Sequence, residues 1–251
     1  MLPTHVRTRL QENLICCVNR GSQAHGTYVP SSEPNSIDDI DLMTCYLNSR
    51  SFYTGINIYQ ESDHHEYWVG EYDIVEYEIR KLIGLLIKCN PNVLSLLWIN
   101  GEDIHISSSA YKRLRDVRNC FLSKTRIFES FCGYANGQLK RMTHSEFKGY
   151  MGDKRKKLVE KFGYDTKNAA HLIRLLRMGN EMLIDGNLQV KRSDADFLME
   201  IKHGKYPLEW IQQCAGGMFE KIKESYEKST LPESPDYKTI DSTLLEIMDG
   251  I

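Results

Sequence analysis

Gly21-Ser22-Gln23-Ala24-His25-Gly26, followed a dozen residues later by Asp38-Asp39-Ile40-Asp41-Leu42, is the stretch whose reading decides the fold. The run Leu14 to Arg20 ahead of it reads as a short buried strand that ends at a Gly21 turn. A Gly-Ser turn between a strand and a helix offers backbone N–H groups to an anion. Asp39 to Leu47 reads as a second strand, since Ile40, Leu42 and Met43 are apolar. Residues two apart in a strand share a face, so Asp39 and Asp41 project together. Like charges side by side repel unless a cation or protons lie between them. An anion-binding turn beside a carboxylate pair points to metal-dependent nucleotidyl transfer.

Two-metal chemistry of that kind needs a further oxygen ligand. One ion grips the triphosphate and the other lowers the pKa of the attacking hydroxyl. Asp73, between Tyr72 and Ile74 in a third strand expected over Tyr67 to Glu76, is the candidate, with Glu71 and Glu76 as competitors. The ordinary alternatives are a plain strand-to-helix turn at Gly21, a turn residue at Asp38 and a solvent-facing strand residue at Asp73.

Outward from this core the expectations are coarser. Val6 to Asn13 reads as helix, and Ser31 to Ser36, with Pro30 and Pro34, as a loop. Ser49 to Glu66 reads as irregular, a hairpin or a mobile flap. Glu78 to Cys89 carries Ile79, Leu82, Ile83, Leu86 and Ile87 at amphipathic-helix spacing, stopped by Asn90-Pro91, and Val93 to Trp98 starts another short helix. From Ser107 onward the pattern is helical: Ala110 to Ser123, Lys124 to Arg141, Lys154 to Phe162, Thr166 to Leu183, Ser193 to His203 and Pro207 to Lys228. The acidic, proline-containing tail after Ser229 reads as loosely attached. A composition shift at Gly101 to Ser109 suggests two domains, residues 1–108 and 109–251.

Composition narrows the class. The chain has 251 residues, 41% of them hydrophobic and 26% charged, which suits a soluble globular protein with a substantial core. A net charge of −2 gives no global attraction to nucleic acid, so any such binding needs a local patch. Lys154-Arg155-Lys156-Lys157, with Lys140, Arg141, Lys148 and Lys161, is the densest basic run, and reads either as a solvated helix face or as an RNA-steering patch. Neither a membrane span nor a signal-peptide core is expected. Seven cysteines, odd in number and without zinc-knuckle spacing, read as reduced thiols, mostly buried, in a cytoplasmic setting. His64-His65 in a polar loop is discounted as a metal site, and Trp68, Trp98 and Trp210 read as core.

Gly21-Ser22-x-x-x-Gly26, a loop and Asp39-x-Asp41 resemble the catalytic signature of the DNA polymerase β-like nucleotidyltransferase superfamily. Three further blocks resemble, more narrowly, the RlaP-like (RNA repair pathway) nucleotidyltransferase family of bacteria and phages. They are Asp73-Ile74-Val75-Glu76-Tyr77-Glu78-Ile79-Arg80-Lys81, Lys88-Cys89-Asn90-Pro91-Asn92-Val93-Leu94, and Tyr164-Asp165-Thr166-Lys167-Asn168-Ala169-Ala170-His171-Leu172-Ile173-Arg174-Leu175. The similarity spans roughly Arg20 to Trp210. The loop before Asp39 is longer than in many relatives, which leaves the choice among Asp38, Asp39 and Asp41 open.

The resemblance implies an α+β fold, a mixed sheet flanked by helices and followed by a helical C-terminal domain. It implies that Gly21 and Ser22 hold phosphates, that Asp39 and Asp41 bind two magnesium ions (manganese as the alternative), and that Asp73 ligates metal and activates the acceptor hydroxyl. Lys167, His171 and Arg174 share one helix face. On that face they imply contact with NTP or nucleic-acid phosphate, although a solvated stripe is the plainer reading. Tyr134 and Gln138, in the block Gly133-Tyr134-x-x-Gly137-Gln138, are implied to frame the base or acceptor. The expected acceptor is an RNA 3′ end. A protein side chain and a non-catalytic RNA-binding module are the alternatives.

Overall fold

A computed structural model describes residues 2–30, 32–33, 38–56, 62–143 and 153–249. Part of the loop expected at Ser31 to Ser36, the middle of the segment Ser49 to Glu66, and Lys148 lie outside the described residues, as does the side chain of Lys154. In chain order the elements are α1 (Thr4–Arg7), β1 (Leu14–Asn19), α2 (Gly21–His25), β2 (Ile40–Tyr46), α3 (Arg50–Thr54), β3 (His64–Val69), β4 (Tyr72–Glu78), α4 (Ile79–Ile87), α5 (Pro91–Leu94), β5 (Ile104–Ser107), α6 (Ser109–Asp116), α7 (Lys124–Thr143), α8 (Asp153–Phe162), α9 (Thr166–Asp185), α10 (Ala195–Lys202), α11 (Leu208–Lys228) and α12 (Tyr237–Met248). The α+β class implied by the sequence is what the chain adopts.

Packing divides the chain into two compact units: Met1–His25 with Asp39–Leu122 and Pro235–Ile251, and Gly26–Asp38 with Ser123–Ser234. The division differs from the sequence-based ranges 1–108 and 109–251. The composition shift near Gly101 marks no boundary, because β5 lies there and pairs with β1.

The first unit is built on one five-stranded sheet of order β3-β4-β2-β1-β5. β2 and β4 run parallel, and the other neighbours are antiparallel. On one face Cys17, Leu42 and Ile74 join Val6 and Leu10 in a core cluster. The other face carries buried Cys16, Met43, Cys45 and Val75, and α4 packs against β2 and β4. Ile79, Leu82, Ile83 and Leu86 are the buried side of α4, the spacing read from sequence. Glu78 starts that helix by accepting hydrogen bonds from the backbone N–H groups of Arg80 and Lys81.

Three sequence expectations need correcting here. The first helix covers only Thr4–Arg7, and the chain from Thr8 to Asn13 turns into β1, with Asn13 at φ 54°. The single strand expected over Tyr67 to Glu76 is a hairpin, because Gly70-Glu71 breaks it into β3 and β4. The tail is not loosely attached: α12 buries Ile240, Thr243 and Ile247, Asp236 N–H donates to Cys120 O, and Arg113 pairs with Glu246.

The second unit is helical. α9 packs against α7, α10 and α11 and buries thirteen of its residues, chiefly the apolar ones. Its N-cap is Asp165, whose carboxylate accepts from Asn168 N–H and from Arg155. Arg155, from the basic run, is therefore committed within the unit, while Lys156, Lys157 and Lys161 are exposed. All seven cysteines are free thiols, four of them buried, and burial pushes Cys17 up to about 12.

Candidate active site

Asp41 and Asp73 are cross-strand partners on the parallel pair β2 and β4. Directly opposed residues project from the same face, so their carboxyl groups lie side by side at the end of the sheet where β1 gives way to α2. The charges are bridged by Arg20, the residue between β1 and α2. Its guanidinium donates to Asp73 Oδ2 at 2.9 Å and stands 3.6 Å from Asp41 Oδ1. Nε of Arg20 donates to Leu42 O and its backbone N–H to Asp41 O, so the clamp is held from two sides. Sequence reading missed Arg20. The signal was a cation immediately before the glycine turn.

Gly21 follows with φ +60°, and a Cβ there would lie 2.1 Å from Asp41 Oδ2. The Asp41 carboxylate is thus seated on the bare Cα of Gly21, which explains the glycine without reference to a ligand. Ser22 comes next, buried in α2, and α2 packs on β2. Asp39 stands one residue ahead of β2, half-buried, and close enough for its charge to raise the pKa of Asp73.

Burial is the largest cause that lifts the Asp73 carboxyl above the ordinary range. Arg20 opposes it, and Glu66 and Asp39 add to it. Asp73 Oδ1 is buried and has no hydrogen-bond partner among the described residues. A carboxylate oxygen in that position lacks a proton or a cation. This orphaned oxygen, with hard oxygen donors on Asp41 and Asp39 nearby, fits a divalent ion such as magnesium. As placed, no three His, Cys, Asp or Glu side chains among the described residues form a metal-holding group.

The competitors separate by face. Glu76 sits three residues beyond Asp73 with its side chain on the Ile74 side of the sheet, bonded to Thr44 Oγ1 and Gln11 N–H. Glu71 lies exposed in the hairpin turn. Asp38 belongs to the other unit. Its fully buried carboxylate accepts from Val29 N–H at 2.8 Å, bonds Lys202 Nζ, and faces Lys167 Nζ at 3.3 Å. Two lysines and a backbone donor account for that charge, so Asp38 is committed within its own unit.

In the helical unit the remaining candidates sit on two packed helices. Tyr134 and Gln138 are on α7, Tyr134 exposed and Gln138 buried, with Gln138 Oε1 lacking a hydrogen-bond partner among the described residues. On α9, Lys167 is held at Asp38, His171 is half-buried, and Arg174 is buried and donates to Met178 Sδ. Burial, aided by Arg192, pushes Arg174 down to about 10. This face is not a freely solvated stripe.

Of the three tryptophans read as core, only Trp98 is buried. Trp210 is 37% exposed and stacks on Tyr206. Trp68 is 57% exposed on the edge strand β3. Alternation explains it: Tyr67 and Val69 pack on the core cluster, so Trp68 points to the opposite face.

Residues 4–246 match the model of a family described as "RlaP: RNA repair pathway DNA polymerase beta family". A solved nucleotidyltransferase-like protein from Exiguobacterium sibiricum is 10% identical, over 99% of this chain and 78% of that one, with a TM-score of 0.30. A likeness that loose carries no argument. A search of curated proteins returns no match. No helix among the described residues is long and apolar enough to cross a membrane.

Proposed function

Because the chain belongs to the RNA repair pathway DNA polymerase beta family and is a nucleotidyltransferase, we propose that it transfers NMP from an NTP to the 3′ hydroxyl of an RNA. The observation that carries the reading is the Asp41–Asp73 pair, brought onto one face by β2 and β4 beside the Gly21-Ser22 turn.

Asp39, Asp41 and Asp73 would hold magnesium. When bound, the ions supply charge neutralisation at the phosphates and a lower pKa for the attacking hydroxyl. The acceptor oxygen forms a bond to the α-phosphorus, the bond from that phosphorus to the β-phosphate oxygen breaks, and pyrophosphate leaves. Asp73, the carboxylate assigned to the acceptor, takes the hydroxyl proton. Arg20 keeps Asp41 and Asp73 together against their repulsion. Gly21 and Ser22 are assigned to the NTP phosphates; in the helical unit, Lys167, His171, Arg174, Tyr134 and Gln138 are assigned only the phosphate, base or acceptor contacts that the family resemblance implies.

The test incubates the protein with labelled NTPs and magnesium, alongside total RNA or candidate proteins. Label on RNA that disappears in Asp41→Asn and Asp73→Asn, with unchanged melting, supports the proposal. Label on protein replaces the acceptor class, and retained transfer in both variants rejects the assigned site.

A further inference from the structure

A single exposed tryptophan needs no explanation by itself. The position of Trp68 does. It is the most exposed large aromatic side chain among the described residues, and its cross-strand partner is Asp73. Asp73 in turn pairs with Asp41. Three side chains therefore form one row on one face, running Asp41, Asp73, Trp68 across β2, β4 and β3. Strands lie about 4.8 Å apart, so the tryptophan backbone stands one strand beyond Asp73 and about 10 Å from Asp41.

Resting on the proposed transfer reaction, we infer that Trp68 is the platform on which the terminal base of the acceptor stacks. Its place in the row argues for the acceptor rather than the NTP. The Gly21-Ser22 turn lies on the Asp41 side, and Trp68 lies on the far side of Asp73, the residue assigned to the hydroxyl. One strand spacing is about the reach from a ribose hydroxyl to its own base. Charge selects the part of the ligand that lands there. Glu66, two residues before Trp68 on the same strand face, is exposed, and its charge reaches Asp73. A patch edged by two carboxylates repels phosphate and suits a neutral aromatic ring. Among the described residues β3 is an edge strand, so no described strand lies on the outer side of the ring. Stacking on an aromatic ring tolerates any base, so the platform orients the acceptor end without reading its sequence.

The experiment compares wild type, Trp68→Phe and Trp68→Ala with a single-stranded RNA oligonucleotide ending either in a normal residue or in an abasic one. With the normal end, Trp68→Ala raises KM for the acceptor roughly 5- to 150-fold, the range for losing one base–aromatic stack, and leaves KM for the NTP unchanged. Trp68→Phe keeps most of the affinity. The abasic end costs wild type a similar factor and costs Trp68→Ala nothing more. A readout independent of turnover is quenching of tryptophan fluorescence by the normal oligonucleotide without NTP, expected in wild type and lost in Trp68→Phe. Transfer to RNA that ignores both Trp68→Ala and the abasic end overturns this inference and leaves the transferase reading intact. Label on protein, with no Trp68-dependent quenching by RNA, overturns this inference together with the RNA acceptor and leaves nucleotidyl transfer itself standing.

Discussion

Replacing Gly21 by alanine would set a methyl carbon 2.1 Å from Asp41 Oδ2 and 2.9 Å from Asp41 Cγ, at a backbone φ of +60°. Two costs follow. The left-handed backbone destabilises an L-residue by roughly 1–2 kcal/mol, which lowers the melting temperature by roughly 2–8 °C for a chain of this size. The contact is the larger effect on function, because the Asp41 carboxylate must retreat by about 1 Å or more. That movement changes its distance to Arg20 and its alignment with Asp73, and a displacement of that size costs about 100-fold in rate. Gly26→Ala is the control. Gly26 has φ +71°, yet its nearest neighbours to a new Cβ are Ala195 Cβ and Lys191 Cε, both at 3.8 Å. It carries the same backbone strain without touching the carboxylates. Transfer of labelled NMP and thermal melting, measured on both variants, separate the effects: similar melting losses, with a collapse in rate confined to Gly21→Ala. A Gly21→Ala enzyme working within about threefold of Gly26→Ala would refute the claim that Asp41 is positioned by this glycine.

Removing the cation from the pair moves the pH response. Arg20 holds the Asp73 carboxyl down against burial, so in the metal-free protein Arg20→Met raises that pKa further, read by carboxyl-carbon NMR titration; an unmoved titration contradicts the bridging role of Arg20. The stability sign follows. A raised native pKa means the folded state binds more protons, so the contribution of Asp73 to stability declines as pH rises from the unfolded value through the native one. Asp38→Ala leaves Lys202 and Lys167 facing a vanished charge and is expected to cost about 3–5 kcal/mol in denaturant unfolding. A loss below about 1 kcal/mol would mean that the carboxylate is not the anchor of its unit. Ile247→Ala, in a buried position of α12, is expected to cost about 2–4 kcal/mol, whereas an unattached tail would lose nothing.

Local order along the chain determined much of this protein. The Gly-Ser turn, the alternation around Ile40 to Met43 and the helical spacing of Ile79 to Ile87 each act within a few residues, and each appears near its expected place. Trp68 is legible too, since its alternation with Tyr67 and Val69 points it outward, against the usual burial of tryptophan. Other decisions belonged to tertiary structure alone. That Asp73 lies beside Asp41 depends on β4 entering parallel to β2, a choice of neighbour set by covering both faces of one sheet. That Asp38 is an anchor depends on Lys202, 164 residues away along the chain. A carboxylate looks the same in sequence whether it awaits a cation or already owns one. The difference lies in which charges folding brings within reach, and long-range packing sets that.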